Sequence, residues 1–292
     1  RVDQVDPGTE RDLIKGDFKN YGFETRLLSE YNILNKNATF LIGAKFYNAN
    51  NSQQQGPGSD GIGPDFSIQT DQFPNYPDQS NFDFPNLNVA VFGENIFYLN
   101  DKFSVTPGFR FEYIKTESDG FYQQTNTDAA GNVIFQNVIE DDRSFERDFV
   151  LLGLGLSYKP NESVEVYGNI SQNYRSVTFS DINVINPSIV IDRDITDEDG
   201  FTVDLGLRGN INQLVSYDVG VFGLFYNNRL GLVPFNDGGN FKQQRTNIGD
   251  ARMLGIESLL DLNLKKILNL KSKYSFNYFL NIFTNNTRFR DN

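Results

Sequence analysis

The chain contains no cysteine, no histidine and no tryptophan, and a single methionine. Without cysteine there is neither a disulfide framework nor thiolate chemistry. Without histidine, a Ser/His/Asp triad and imidazole metal sites are both impossible. Long apolar runs are missing as well. Mean hydropathy is −0.45, and no stretch reaches the roughly 18 apolar residues that a spanning helix needs. Basic residues are in deficit, 26 Lys and Arg against 38 Asp and Glu for a net charge of −12, so the basic face that nucleic-acid binding requires is not available. Enzymatic activity is not expected: what remains would need a carboxylate pair in a pocket, and the sequence supplies no such geometry. The opening Arg1–Gly8 is polar and carries no export signal, so the chain reads as part of a longer polypeptide.

What the chain does have is rhythm. In Phe103–Tyr113 the odd positions are Phe103, Val105, Pro107, Phe109, Phe111 and Tyr113, and the even ones are Ser104, Thr106, Gly108, Arg110 and Glu112. A strand throws successive side chains to opposite faces, so one face is greasy and the other wet. Ten strands are predicted, at 21–32, 38–48, 87–98, 103–116, 146–158, 163–174, 201–210, 215–227, 251–264 and 270–283. Apolar faces include Val150, Leu152, Leu154 and Leu156; Phe201, Val203, Leu205 and Leu207; and Leu254, Ile256, Leu260 and Leu262. Connections alternate. Ile33–Asn37, Leu99–Lys102, Lys159–Glu162, Ile211–Leu214 and Lys265–Asn269 are short, whereas Ala49–Asn86, Glu117–Phe145, Arg175–Gly200 and Asn228–Asp250 are long. Tyr and Phe gather near strand ends. Tight turns on one side, long loops on the other and aromatic termini together indicate an all-β fold, an antiparallel transmembrane β-barrel.

Three segments carry a family resemblance. Asn169–Ile182 runs strand, aromatic, Arg175, small residues, Phe179, Asp181; Asn247–Glu257 contains Asn247-Ile248-Gly249 and then Gly255-Ile256-Glu257; and Asn20–Leu27 reads Asn-Tyr-Gly-Phe-Glu-Thr-Arg-Leu. Over essentially all of residues 1–292 the chain resembles the TonB-dependent outer-membrane receptors, the third segment being similar to the ferric-dicitrate-type siderophore receptors. The resemblance implies a 22-stranded barrel of which these strands form the C-terminal part, with the plug domain and TonB box outside this chain. It implies a multi-pass protein of the bacterial outer membrane that imports a ferric chelate, siderophore or iron citrate, with no covalently bound cofactor. Its partners would be the inner-membrane TonB complex, reached through the N-terminal part, and outer-membrane lipid and lipopolysaccharide. Two alternatives stay open: a passive porin or channel, and a structural barrel subunit of a surface assembly.

Candidate site residues lie in or near the long loops. Arg175, Arg193, Arg229, Lys242, Arg245 and Arg252 are the ligand-binding candidates, because a guanidinium fork gives a carboxylate two parallel bonds. The acidic run 192–199 reads first as a solvated loop, with calcium as the alternative through Asp192, Asp194, Asp197 and Asp199, although EF-hand spacing is lacking. Glu140–Arg143 reads as a plain polar loop, and Asn48–Ser80, rich in Asn, Gln, Gly and Pro, as a flexible outer lid. Charges on the wet faces, among them Glu24, Arg26, Arg110, Glu112, Glu165 and Arg208, are expected to pair with one another.

Overall fold

The structure, a computed structural model, describes residues 10–290 apart from 62, 64, 75, 78, 129, 131, 183–188, 238 and 239. Arg1–Gly8 and the terminal Asp291 and Asn292 therefore lie outside the described residues. The strands are β1 (Asp12–Ile33), β2 (Lys36–Pro57), β3 (Ser80–Asn100), β4 (Phe103–Thr127), β5 (Val133–Glu140), β6 (Arg143–Asn161), β7 (Val164–Arg175), β8 (Ile189–Ile191), β9 (Glu198–Ile211), β10 (Val215–Asn227), β11 (Leu230–Asp237), β12 (Asn240–Asn247), β13 (Asp250–Asn263) and β14 (Asn277–Arg290); α1 (Phe179–Ile182) and α2 (Leu264–Ile267) are single helical turns.

Ten of these strands form one path, β1-β2-β3-β4-β6-β7-β9-β10-β13-β14, each neighbour antiparallel to the next, and they are the ten that alternation predicts. Asparagine side chains close the short connections. Asn100 Oδ1 accepts the N–H groups of Lys102 and Phe103, both at 2.9 Å, and Asn161 Oδ1 that of Ser163 at 2.9 Å. Asn210 Oδ1 accepts Gln213 N–H at 2.8 Å, and Asn263 Oδ1 that of Lys266 at 3.0 Å. An Asx side chain replaces the backbone carbonyl of a turn in this way. The β1–β2 turn instead places Leu34 and Asn35 at φ 51° and 59°, the two left-handed residues of a type I′ hairpin.

The faces follow the expected phase. Val150, Leu152, Leu154 and Leu156 are all exposed, as are Leu205 and Leu207, Val219 and Val221, and Leu254 and Ile256. On the opposite face polar groups meet one another: Arg26 lies 2.5 Å from Glu24, Arg110 pairs with Glu112, Arg208 Nε donates to Glu165 at 2.9 Å, and the Tyr167 hydroxyl donates to Asp218 at 2.9 Å. Register explains one local stack. Arg26, Gly43, Phe92 and Arg110 share a rung, and because Gly43 has no side chain the Phe92 ring lies flat, with guanidinium carbons 5.8 and 5.1 Å from its centroid.

The long connections depart most from expectation. Strand pairing runs far into them: β2 and β3 continue together to Gln55 and Ser80, and β4 folds back on β5, which pairs with β4 alone. Loop 228–250 is a hairpin, β11–β12, joined in parallel by β8 in a three-stranded sheet. The lid of the sequence reading is thus strand over 48–57, and the segment that follows is pinned at several points. Arg11 donates to Ser59 O at 2.9 Å and to Gly63 O at 2.8 Å, while Thr125 Oγ1 reaches Pro77 O at 3.0 Å. The last strand also shifts. Asn263 caps the turn α2, and β14 runs from Asn277 to Arg290 rather than over 270–283.

A wall that keeps its apolar face outward has no core within it. The buried apolar cluster sits above the wall at the long-loop end: Phe82, Phe84, Val177, Ile182, Ile191 and Ile195, with Phe145 and Phe179 against it.

A carboxylate–arginine cap as candidate ligand site

Glu198 opens β9 directly across from Arg175, which closes β7. Its side chain is 2% exposed. Burying a carboxylate at this depth requires partners for its lone pairs, and three are present. Arg175 Nη1 and the Leu230 N–H donate to Oε1 at 3.1 and 2.9 Å, and Arg229 Nη1 donates to Oε2 at 2.8 Å. Glu198 therefore joins β7 to the start of the β11–β12 hairpin. Arg175 turns its second nitrogen to both oxygens of Asp181, at 2.8 and 3.0 Å. Asp181 also accepts the Thr178 N–H at 3.0 Å and its hydroxyl at 2.8 Å. Burial pushes the Asp181 carboxyl up, but the Thr178 donors and the Arg175 guanidinium outweigh it, and the group is held below the usual carboxylate range.

A second carboxylate works beside it. Asp197 forms a two-bond pair with Arg147, 2.6 Å from Nε and 2.8 Å from Nη2, and accepts the Val177 N–H at 2.6 Å and the Tyr174 hydroxyl. Arg147 reaches further, to Phe145 O at 3.1 Å and Val177 O at 3.4 Å. Asp141 holds Arg143, which donates to Asp192 O at 2.8 Å and Ile191 O at 3.3 Å. Asp192 in turn accepts the Thr246 hydroxyl at 2.5 Å and the Asp194 N–H at 3.0 Å, which keep its carboxyl below the usual range. The result is a cap over the apolar cluster in which the buried carboxylates Glu198, Asp181 and Asp197 are each paired with an arginine.

The family profile described as TonB dependent receptor-like, beta-barrel, matches residues 3–292. The chain belongs to this family. Its members are outer-membrane β-barrel proteins, which makes the exposed apolar face lipid-facing and the polar face luminal. Among solved structures, the ferric yersiniabactin uptake receptor FyuA from Yersinia pestis is similar over 97% of this chain and 37% of its own, with TM-score 0.68 and 14% identity. The ferric citrate transporter FecA matches over 98% and 38%, with TM-score 0.67 and 17% identity. The alcaligin outer membrane receptor FauA from Bordetella pertussis matches over 94% and 40%, with TM-score 0.59 and 12% identity. At such identities the likeness is one of fold, and the chain spans about two fifths of the length of these receptors. No curated protein sequence matches it.

Within this receptor barrel the six candidate basic residues separate. Arg175 and Arg229 come together on Glu198. Arg245 lies beside them, its Nη1 donating to Ser180 O at 2.5 Å, and Lys242 is on the same strand, β12. Arg193 is exposed in the 192–197 segment. Arg252 stands apart, exposed and in phase with Leu254 and Ile256 on the lipid-facing side of β13. The sequence held that signal, since all three numbers are even.

The acidic run is solvated only in part, with Asp194 and Asp199 exposed. Glu198 is buried, and Asp197 is 17% exposed within its pair. Nor do Asp192, Asp194, Asp197 and Asp199 converge into one cage: Asp197 meets Arg147, Asp192 meets Thr246, and Asp199 accepts from Asn227 at 3.0 Å. Among the described residues no three acids are grouped to hold a metal ion. Glu198 and Asp181 were missed as organising residues, because their partners are 31 and 6 positions away and follow no period.

Proposed function

We propose that this chain is the C-terminal part of the barrel wall, with its cap, of an outer-membrane receptor that takes up a ferric chelate, a siderophore or iron citrate, with energy delivered through TonB. The observation that carries the reading is a pre-organised, arginine-containing cap built on the long loops of a barrel of this family. FyuA and FecA, named for ferric yersiniabactin uptake and ferric citrate transport, support the cargo class. Arg193 and Arg245, neither of which is in an ion pair among the described residues, offer guanidinium groups to an anionic chelate. Arg175 and Arg229 hold the cap in shape, and Lys242 adds positive charge on the same hairpin.

Uptake of radiolabelled ferric citrate and of a panel of ferric siderophores, in cells with and without the full-length receptor, tests this. Expected is saturable uptake of at least one chelate that stops when TonB is deleted and falls several-fold in Arg245→Ala. Arg175→Ala is expected to weaken binding more than Lys102→Ala, whose side chain sits in a short turn. Solute flux proportional to concentration and indifferent to TonB would replace this reading with the passive channel.

A further inference from the structure

Where β6 and β7 meet, the wall has a seam. β4 and β6 pair up to Ser118 and Arg143, and β7 and β9 up to Arg175 and Glu198, but β6 and β7 pair only as far as Gly153 and Ser171. Beyond that rung, among the described residues, 143–152 of β6 pair with β4 alone and 172–175 of β7 with β9 alone. From Tyr158, at the short-turn end, to Gly153 the chain climbs about 12 Å at ordinary strand rise and tilt, half of an apolar band about 25 Å tall. Val150 and Leu152, beside the seam, still face lipid. The ladder thus stops midway through the hydrocarbon, where backbone groups without partners are costly.

Side chains close the seam. Gln172 Oε1 accepts the Leu152 N–H at 2.9 Å, in place of the carbonyl that a ladder would supply. Above it the Phe149 and Tyr174 rings lie with centroids 3.9 Å apart. Asp197, held by Arg147 and the Tyr174 hydroxyl, stands at the top. Turning one amide and one ring opens such a joint without breaking a backbone ladder.

A luminal trough of about 410 Å³ runs up to the same place, ending at Ser171 and Gln172. Its floor is the rung of Gly108 and Gly153, over which space is open: a Cβ on either glycine would meet nothing closer than 3.5 Å. Arg26, Glu94 and Arg110 make its far end polar. Its seam end, Ser171 and Gln172 apart, is apolar, with Leu151 in the trough and Phe149, Val150 and Leu152 along the seam. A trough polar at one end and apolar at the other fits an amphiphile.

We propose that the seam is a side port to the outer leaflet and that the cargo is an amphiphilic ferric chelate, its polar head in the lumen and its acyl tail passing between β6 and β7 into lipid. This rests on the uptake reading above and names the class of chelate.

This chain has no cysteine of its own, so a bolt is simple to place. In the full-length receptor, Leu152→Cys with Gln172→Cys bolts the seam, whereas Leu156→Cys with Gly168→Cys bolts a rung already paired and is the control. Uptake of an acylated ferric hydroxamate, and of the same chelate without its tail, is read before and after oxidation. Expected is a several-fold loss of the acylated chelate alone in the bolted seam, reversed by dithiothreitol, and no loss in the control. A second readout needs no transport. A diazirine at the tail end of the gallium-loaded acylated hydroxamate is expected to label residues 149–152 and 172–174, and bolting the seam to abolish the label. Heat-dependent gel mobility verifies that each variant is folded, and mass spectrometry that each disulfide has formed. Failure of both chelates to enter through the unaltered receptor refutes the uptake reading and leaves the labelling to decide the port. Labelling absent from the seam or spread evenly over the wall, or undiminished entry of the acylated chelate past a bolted seam, overturns the proposal.

Discussion

At the scale of single residues, Glu198 is where the cap is decided. It collects two arginines and one backbone N–H from two segments of chain, the end of β7 and residues 229–230. Replacing it with alanine leaves Arg229 without its carboxylate and the Leu230 N–H without an acceptor. Both arginines are partly exposed, so water screens the loss, and a cost of about 2 kcal/mol is expected, confined to the cap. Hydrogen exchange should quicken across residues 176–200 and not along β6 or β10; uniform acceleration would refute a local role. Asp181 and Asp192 add a pH dependence. Their carboxyls are held below the ordinary range, so the stability they contribute is complete above roughly pH 4 and is lost as pH falls through their depressed values. The cap is therefore expected to loosen in acid before the barrel wall, read as faster exchange of residues 176–200 between pH 4 and pH 2.

At the scale of the element, the strand's period of two governs what each position tolerates. Val105, Leu154 and Leu205 share their faces with Phe109, Leu152 and Leu207, which are exposed to lipid. Arginine at any of the three is expected to cost about 2–4 kcal/mol of folding into a bilayer near its midplane. Asparagine at Thr106, Gly155 or Asp204, on the luminal face, is expected to cost much less. Refolding into vesicles with urea titration separates the groups, and equal losses would reverse the face assignment. The short turns were recognisable because Asn acts on its own backbone within three residues. The last strand was placed too early because Leu270, Tyr274 and Phe276 alternate with Lys271, Lys273 and Ser275 as a strand would, although the strand begins only at Asn277.

At the scale of the whole molecule, a coreless wall carries a packed cap, so the two are expected to fail separately. Deleting Ser59–Gly63 removes the anchor of Arg11 but no wall pairing, whereas Gln53–Pro57, part of the flexible lid in the sequence reading, are strand and pair with β1. The Ser59–Gly63 deletion is therefore expected to keep the heat-resistant barrel while weakening chelate uptake several-fold. A deletion that unfolds the barrel and spares uptake would sink the separation of wall from cap.

What the sequence determined by itself was the wall: ten strands, their faces, and the alternation of tight and long connections. Each of these is written in the spacing of neighbours a few residues apart. Even the lipid-facing phase of Arg252 was present in its alignment with Leu254 and Ile256. Tertiary structure alone decided the cap. Arg147 finds Asp197 across 50 positions and Arg245 finds Ser180 across 65, and no local period links such partners. Their match is made by strand register and loop packing, which bring buried charges together because an unpaired charge in that cluster would cost more than the chain's ordering.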